Sequence, residues 1–282
     1  MMTQSSSVLS RKVGQDESDI KEICRLIEEH AGIHLKAIKH DLVRSRLGKR
    51  ITANKMNSFA AYAKFLKDLP RDHNEWQIFT NLLTTNKTDF FREIKHFEFL
   101  IKTILPTWLQ KSQDKTFRVW SAACSSGEEP YTLAMILNRY LPKDRDFKIL
   151  ATDIDTEILK IANNGVYSNV KKEEIPLDYQ STCIDSGTGD VRDWFRIKKH
   201  LKDRIQFKTH NLVAPVAPPE NTFDLALCRN VLIYFAPDSI QKVQDKIYST
   251  VKNDGYFFIG HSESLQGLQH HWKPQGPSIF QK

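Results

Sequence analysis

The stretch from Phe117 to Tyr140, FRVWSAACSSGEEPYTLAMILNRY, limits the possible folds more than any other part of the chain. It reads as a short apolar strand, a turn of small residues and then a helix. That order puts a helix N-terminus and backbone N–H groups beside a crevice at the end of a sheet. FKILATDID follows, a second strand that ends on Asp153. Strand, tight turn, helix, strand and acid form the plan of a nucleotide-type pocket, with the acid placed for ribose hydroxyls. The glycine spacing is not GxGxxG, so the dinucleotide fingerprint is absent.

Strand and helix go on alternating after Phe117. Strands are expected over 117–122, 147–152, 205–209, 223–228 and 256–259, with a last, antiparallel one over 278–280. Helices are expected over 129–140 and over 156–164, the latter with Thr156 as N-cap and Gly165 as stop. Ile240, Val243, Ile247 and Val251 mark another, opened by Pro237 and ended by Asn253-Asp254-Gly255. Such alternation implies a mostly parallel sheet. The rhythm breaks over 167–203, which holds Gly187-Thr188-Gly189 and a basic run. We read this segment as an inserted small antiparallel sheet with a glycine-containing turn.

Residues 1–15 read as a disordered tail and 16–84 as an all-α bundle. Ile20, Ile23, Cys24 and Ile27 repeat at helical spacing up to Gly32. A second helix spans 37–51, with Val43, Leu47 and Ile51 on its buried stripe. A third begins after Ser58, carrying Phe59, Tyr62, Phe65, Leu66 and Leu69 inward, and a fourth holds Trp76, Phe79, Leu82 and Leu83. Residues 85–116 form a linker region. In it Thr88 or Asp89 caps a helix carrying Phe90, Phe91, Ile94, Phe97 and Ile101, closed by Pro106.

The chain carries 41 Lys and Arg against 34 Asp and Glu, a net charge of +7 that points to an acidic partner. Lys39, Arg46, Lys49 and Arg50 share one exposed stripe of the second helix, beside the buried one. No apolar run reaches membrane-spanning length, and residues 1–19 lack an apolar signal core. The four cysteines are scattered, without a CxxC or Cys/His cluster. A cytoplasmic protein without a metal is the expectation.

Polar residues gather at the carboxyl ends of the expected strands, where open α/β sheets bind ligands. Ala122, Glu128 and Asp153 belong to the first two strand ends, and Asn211-Leu212 and Arg229-Asn230 to two later ones. Small residues at a strand–helix turn, or an acid capping a helix, would give part of this pattern without a ligand. Four strand ends meeting at one crevice favour a site. Asn86, Thr88 and Arg92 of the linker, and Tyr234 of RNVLIYF, read equally well as surface residues. Gly260-His261-Ser262-Glu263-Ser264 is near the hydrolase nucleophile elbow, but it lacks the final glycine and lies on the wrong strand.

LLTTNKTDFFRE, RVWSAACSSGEEPYTLAM, ATDIDTEIL, HNLV, FDLALCRNVLIYF and NDGYFFIGHSESL together resemble the bacterial chemotaxis receptor methyltransferases of CheR type. The likeness runs from about residue 16 to the C-terminus, with GEEPYT where the family has a GEEPYS-like motif. It implies an α/β, Rossmann-like S-adenosylmethionine-dependent methyltransferase domain over 117–282, with an inserted antiparallel β-subdomain and a preceding all-α domain that contacts the receptor. It implies methyl-esterification of glutamates on chemoreceptor cytoplasmic helices, with S-adenosylhomocysteine as product. Cofactor binding carries over to Asn86, Thr88, Arg92, Glu128, Asp153, Asn211, Leu212, Arg229 and Asn230, to which Ala122 is added from the strand end. Asp153 would hold the ribose, Glu128 the methionyl ammonium, and Asn211-Leu212 would lie against the adenine. Arg92 and Tyr234 would stand nearest the methyl. Lys39, Arg46, Lys49 and Arg50 would meet the acidic methylation region. The turn at Gly187 and Gly189 belongs to the subdomain that, in some members, docks a receptor's C-terminal peptide as an added strand. The enzyme would be cytoplasmic, without membrane insertion, and recruited to receptor arrays.

A glutamate with an unperturbed pKa of about 4.3 is already an anionic nucleophile at neutral pH, so no general base is required. Two other classes remain. A nucleic-acid methyltransferase could use the basic stripe, although the strand that should carry an NPPY-type motif ends in CRNVLIYF. A non-catalytic adaptor could sense the cofactor.

Overall fold

The computed structural model describes residues 4–282, with side chains from residue 16 onward. The chain divides into two compact units, Met1–Thr85 with Tyr234–Ala236, and Asn86–Ile233 with Pro237–Lys282. Residues 86–116, expected as a linker, thus group with the larger unit.

The smaller unit is helical: α1 Gln4–Ala31, a 3-10 turn Ala37–Lys39, α2 His40–Ala53, α3 Phe59–Asp68 and α4 Asn74–Leu83. Of the tail expected over 1–15, residues 1–3 lie outside the described residues and residues 4–15 belong to the α1 backbone. Ser58 caps α3 as expected, accepting the Ala61 N–H at 3.1 Å. Ile20, Ile23, Val43, Leu47, Tyr62, Leu66 and Phe79 are fully buried, so the helical periodicities found the core of this unit.

The basic stripe of α2 differs from expectation. Only Lys49 of the four is exposed. Arg50 donates to buried Glu75, from Nε at 2.8 Å and also from Nη2, and the Tyr62 hydroxyl donates to the same carboxylate at 2.8 Å. Arg46 donates to the carbonyls of Leu82, at 3.2 Å, and Thr84. Lys39 lies over the Tyr234 ring, 4.3 Å from its centroid. Long basic side chains reach inward whenever a buried acid or a helix C-terminus offers acceptors.

The larger unit begins with α5 Ile94–Phe99, a π turn Leu100–Ile104 and α6 Leu105–Lys111. The helix therefore does not start at Thr88 or Asp89. Phe91 and Glu93 take positive φ values of 53° and 58°, which bulky residues adopt only under tertiary control. The control is visible: the Phe90 N–H donates to Glu174 at 2.8 Å and the Phe91 N–H to the Thr132 hydroxyl at 3.1 Å. Nor does Pro106 end the helix. The Leu105 N–H bonds back to the Leu100 carbonyl, so the π turn shifts the register ahead of the proline, which sits in the first turn of α6.

Then come β1 Thr116–Ser121, α7 Glu128–Tyr140, β2 Asp146–Asp153, α8 Thr156–Asn164, β3 Val166–Ser168, α9 Asn169–Lys172, α10 Leu177–Cys183, β4 Ile184–Ser186, β5 Trp194–Ile197, α11 Lys199–Lys202, β6 Ile205–Thr209, β7 Phe223–Cys228, α12 Pro237–Thr250, β8 Val251–Ile259, β9 Lys273–Gly276 and β10 Ile279–Gln281. The large sheet has the order β6-β2-β1-β7-β8-β10-β9. Its first five strands are parallel, and β10 runs antiparallel to its neighbours β8 and β9; the strand order reverses between β1 and β7. A crevice at such a switch point is where an open α/β sheet binds its ligand.

The expected insertion is present as a separate antiparallel sheet, β3-β5-β4. A side chain at Gly187 would meet the Val191 carbonyl oxygen at 1.9 Å, so this turn demands glycine, while Gly189 lies at φ +58. Two local expectations are corrected. The N-cap of α8 is Asp155, not Thr156, since its carboxylate reaches the N–H groups of Glu157 and Ile158 at 2.9 and 3.1 Å. Asn253-Asp254-Gly255 does not stop α12, which passes directly into β8 at Val251. These residues form an irregularity inside β8, where the register against β7 jumps from Phe223↔Val251 to Leu225↔Tyr256.

Candidate active site

The turn after β1 has little freedom. Ala122 is buried, with its N–H on the Leu227 carbonyl at 2.8 Å and its own carbonyl accepting from the Thr152 hydroxyl at 3.1 Å. Gly127, the N-cap of α7, has φ +98, and a Cβ there would lie 3.0 Å from Ala162 and from the Tyr167 hydroxyl. The α7 N-terminus, with Glu128 and Glu129 in its first turn, is thereby pressed against α8 and β3.

Asp153 ends β2, buried, with its carboxylate on the N–H groups of Ser125 at 2.8 Å and Asp155 at 3.0 Å. Burial outweighs these donors and pushes its carboxyl up to about 6. Burial also raises Glu128, against the Ser126 hydroxyl that donates to it at 2.6 Å. Two desolvated carboxylates, one at the end of β2 and one at the start of α7, favour a ligand that brings positive charge and hydroxyl donors.

The linker loop 86–93 is tied down along its length. Asn86 donates to Asp155 at 2.7 Å and accepts the Ser125 hydroxyl at 2.9 Å. Lys171 of α9 donates to the Asp89 carboxylate at 2.8 Å and to the Thr88 carbonyl at 2.5 Å, and stands 3.7 Å from Glu128. Its hydrogen bond holds the Asp89 carboxyl below the usual carboxylate range. Arg92 donates to the Lys87 carbonyl at 3.2 Å, closing the loop on itself.

Arg229 is buried and pairs with Glu93 and Glu129, each at 3.0 Å, and its Nη2 also donates to the Arg92 carbonyl. Asn230, at φ +59, donates its amide to Glu93 at 3.1 Å. Burial works against the Glu93 charge, but Arg229, Asn230 and the His261 N–H prevail and hold its carboxyl down at about 2. Glu263 accepts the N–H groups of Asn230 at 2.9 Å and Leu232 at 2.7 Å, and it also takes that of Gly260. GHSES is thus an anchor for the loop after β7, not an elbow for a nucleophile.

Asn211 accepts the Val213 N–H at 3.0 Å in an Asx turn, and Leu212 beside it is buried. Tyr234 belongs to the smaller unit, where its carbonyl accepts the His34 N–H at 2.6 Å. The larger unit therefore brings together Asn86, Thr88, Arg92, Ala122, Glu128, Asp153, Arg229 and Asn230. Lys171, Glu93, Glu129 and Glu263 were not foreseen. They form ion pairs and caps between distant segments, and no local pattern marks those.

Glu93, His96 and His261 each hold a potential ligand atom within 4.8 Å of the others. The Glu93 oxygens are already engaged by Arg229 and Asn230, and the guanidinium beside them opposes a second cation.

S-adenosylmethionine carries an ammonium, a sulfonium and a ribose diol, groups that suit buried carboxylates such as Glu128 and Asp153. The fold and this donor set define a Rossmann-like S-adenosylmethionine-dependent methyltransferase. The family description "CheR methyltransferase, SAM binding domain" matches residues 86–278, and "CheR methyltransferase, all-alpha domain" matches 18–84. The chain belongs to the CheR methyltransferase family. It is 34% identical to a chemotaxis protein methyltransferase of Borreliella burgdorferi, over 94% of this chain and 95% of that one. The Escherichia coli chemotaxis protein methyltransferase is 33% identical over 96% and 93%. A probable chemotaxis protein methyltransferase of Rhizobium etli is 36% identical over 87% and 92%.

Proposed function

We propose that this enzyme esterifies glutamate side chains of chemoreceptor cytoplasmic domains with the methyl group of S-adenosylmethionine. The observation that carries this is the pair of buried carboxylates, Glu128 and Asp153, at the switch-point end of the sheet, beside the anchored loop that bears Arg92. When bound, the cofactor supplies an electrophilic methyl on a sulfonium. Glu128 holds the ammonium, Asp153 the ribose hydroxyls, and Asn211-Leu212 border the adenine.

The acceptor carboxylate arrives ionised, so the protein's task is alignment and exclusion of water, not proton removal. Arg92 orients that carboxylate. A guanidinium that held it bidentately would lower its nucleophilicity, and the tie to the Lys87 carbonyl takes one of the Arg92 donors away from such a grip.

Lys49, exposed on α2, is the strongest of the four basic candidates for contact with an acidic receptor helix. The β3-β5-β4 sheet leaves β3 and β4 as edges on which a receptor C-terminal peptide could add as a strand, next to the turn shaped by Gly187 and Gly189. Such a tether would bring a cytoplasmic enzyme to receptor arrays. Transfer of labelled methyl to a purified chemoreceptor cytoplasmic domain tests the function directly.

A further inference from the structure

We infer that the Arg229 guanidinium is a positioning group for Arg92, acting through the backbone of the linker loop. The inference rests on the methyl-transfer function above.

The geometry carries it. Arg229 comes from the end of β7, and its guanidinium is buried over the Phe97 ring, 5.4 Å from the centroid. Nη1 goes to Glu129 at 3.0 Å. Nη2 goes to Glu93 at 3.0 Å and to the Arg92 carbonyl. Nε is buried without a hydrogen-bond partner. Both terminal nitrogens are thus engaged inside the protein.

The two carboxylates come from separate elements. Glu93 closes the linker loop, and Glu129 lies in the first turn of α7, where it also accepts the Ser121 hydroxyl at 2.7 Å. Each has a neighbour with a different task. Arg92 precedes Glu93, and Glu128 precedes Glu129. One member of each pair serves the pocket and the other serves the bridge. Arg229 therefore fixes the residue that orients the acceptor to the helix end that holds the donor. A planar fork can hold two carboxylates and a carbonyl at once, whereas a lysine ammonium is a single point charge on a flexible stem.

The test uses the full chain with a chemoreceptor cytoplasmic domain as acceptor, comparing Arg92→Ala, Arg229→Lys and the double variant. Turnover is measured alongside the Kd for S-adenosylmethionine by calorimetry. Arg229→Lys is expected to lower kcat by up to about 10²-fold, the cost of a ~1 Å misplacement, with the cofactor Kd unchanged. The double variant should be no slower than Arg92→Ala alone, because the whole effect passes through Arg92. A rise in cofactor Kd that matches the loss in kcat, or losses that multiply in the double variant, would overturn the inference. Full turnover by Arg92→Ala would instead overturn the role given to Arg92, and this inference with it. If Arg229→Lys does not fold, Glu129→Gln, which removes one arm of the bridge, takes its place in the same cycle.

Discussion

The side-chain amide of Asn86 donates to the carboxylate of Asp155 at 2.7 Å, so the first residue of the linker loop is fixed to the N-cap of α8. The other oxygen of Asp155 caps the helix through the N–H groups of Glu157 and Ile158. Asp155→Ala removes both functions. It should cost about 1–2 kcal/mol for the lost cap, seen as a lower midpoint in urea unfolding. S-adenosylmethionine should also bind more weakly, because Asn86 loses its anchor. An unchanged cofactor affinity would separate the cap from the site.

Asp153 gives the site a pH dependence. Burial pushes its carboxyl up to about 6, and the ionised form is the one that accepts two ribose hydroxyls. Affinity for S-adenosylmethionine should therefore fall as pH drops through about 6, and binding near that pH should release protons. Calorimetry in buffers of different ionisation enthalpy reads that release, and Asp153→Asn should abolish it. The same shift acts on stability with the opposite slope. The folded state holds this proton more tightly than the unfolded chain, so the Asp153 contribution declines as pH rises from the ordinary aspartate range to about 6.

His96 produces a second pH effect, on the fold. It is fully buried, stacked on Phe258 at 5.0 Å, and burial followed by the Arg229 charge lowers its pKa to about 3. The unfolded chain takes up this proton near pH 6.5 and the folded protein does not, so stability is lost as pH falls below about 6.5, by up to ~1.4 kcal/mol per unit. His96→Phe fills a similar space and cannot titrate. Its unfolding free energy should show a shallower acid slope between pH 6 and 4.

In the smaller unit, Arg50 and Lys49 should separate fold from recognition. Arg50→Ala strips Glu75 of its ion pair inside a buried site and should cost roughly 3 kcal/mol in unfolding. Lys49→Glu should leave stability within about 0.5 kcal/mol of the parent. It should slow receptor methylation and flatten its dependence on salt. Equal methylation rates for Lys49→Glu and the parent would remove Lys49 from the receptor-facing surface.

Much of this architecture was legible in the sequence because it follows from local pattern. Period-2 and period-3.6 runs gave β1, β2, β6, β7, α7 and α8 nearly to the residue, and Gly165, in the left-handed conformation at φ 64°, stops α8 as read. The loss of period after Val166 marked the insertion. What stayed hidden depends on partners far along the chain. Phe90 and Phe91 read as the apolar face of a helix, yet acceptors on Glu174 and Thr132 turn their backbone elsewhere. Arg50 read as an exposed charge because Glu75, its partner, lies on another helix. Ala122, Glu128, Asp153, Asn211 and Arg229-Asn230 were singled out by their position at strand ends, while the ion pairs of Arg229 became visible only through Glu93 and Glu129.

The central claim is that this chain forms glutamyl methyl esters on chemoreceptors. Incubation with methyl-labelled S-adenosylmethionine and a chemoreceptor cytoplasmic domain, followed by mild alkali, tests it in one measurement. Label that enters the receptor and is released by alkali as methanol is the expected result. Label that survives alkali on nitrogen or carbon, or no transfer at all to a competent receptor domain, would contradict it.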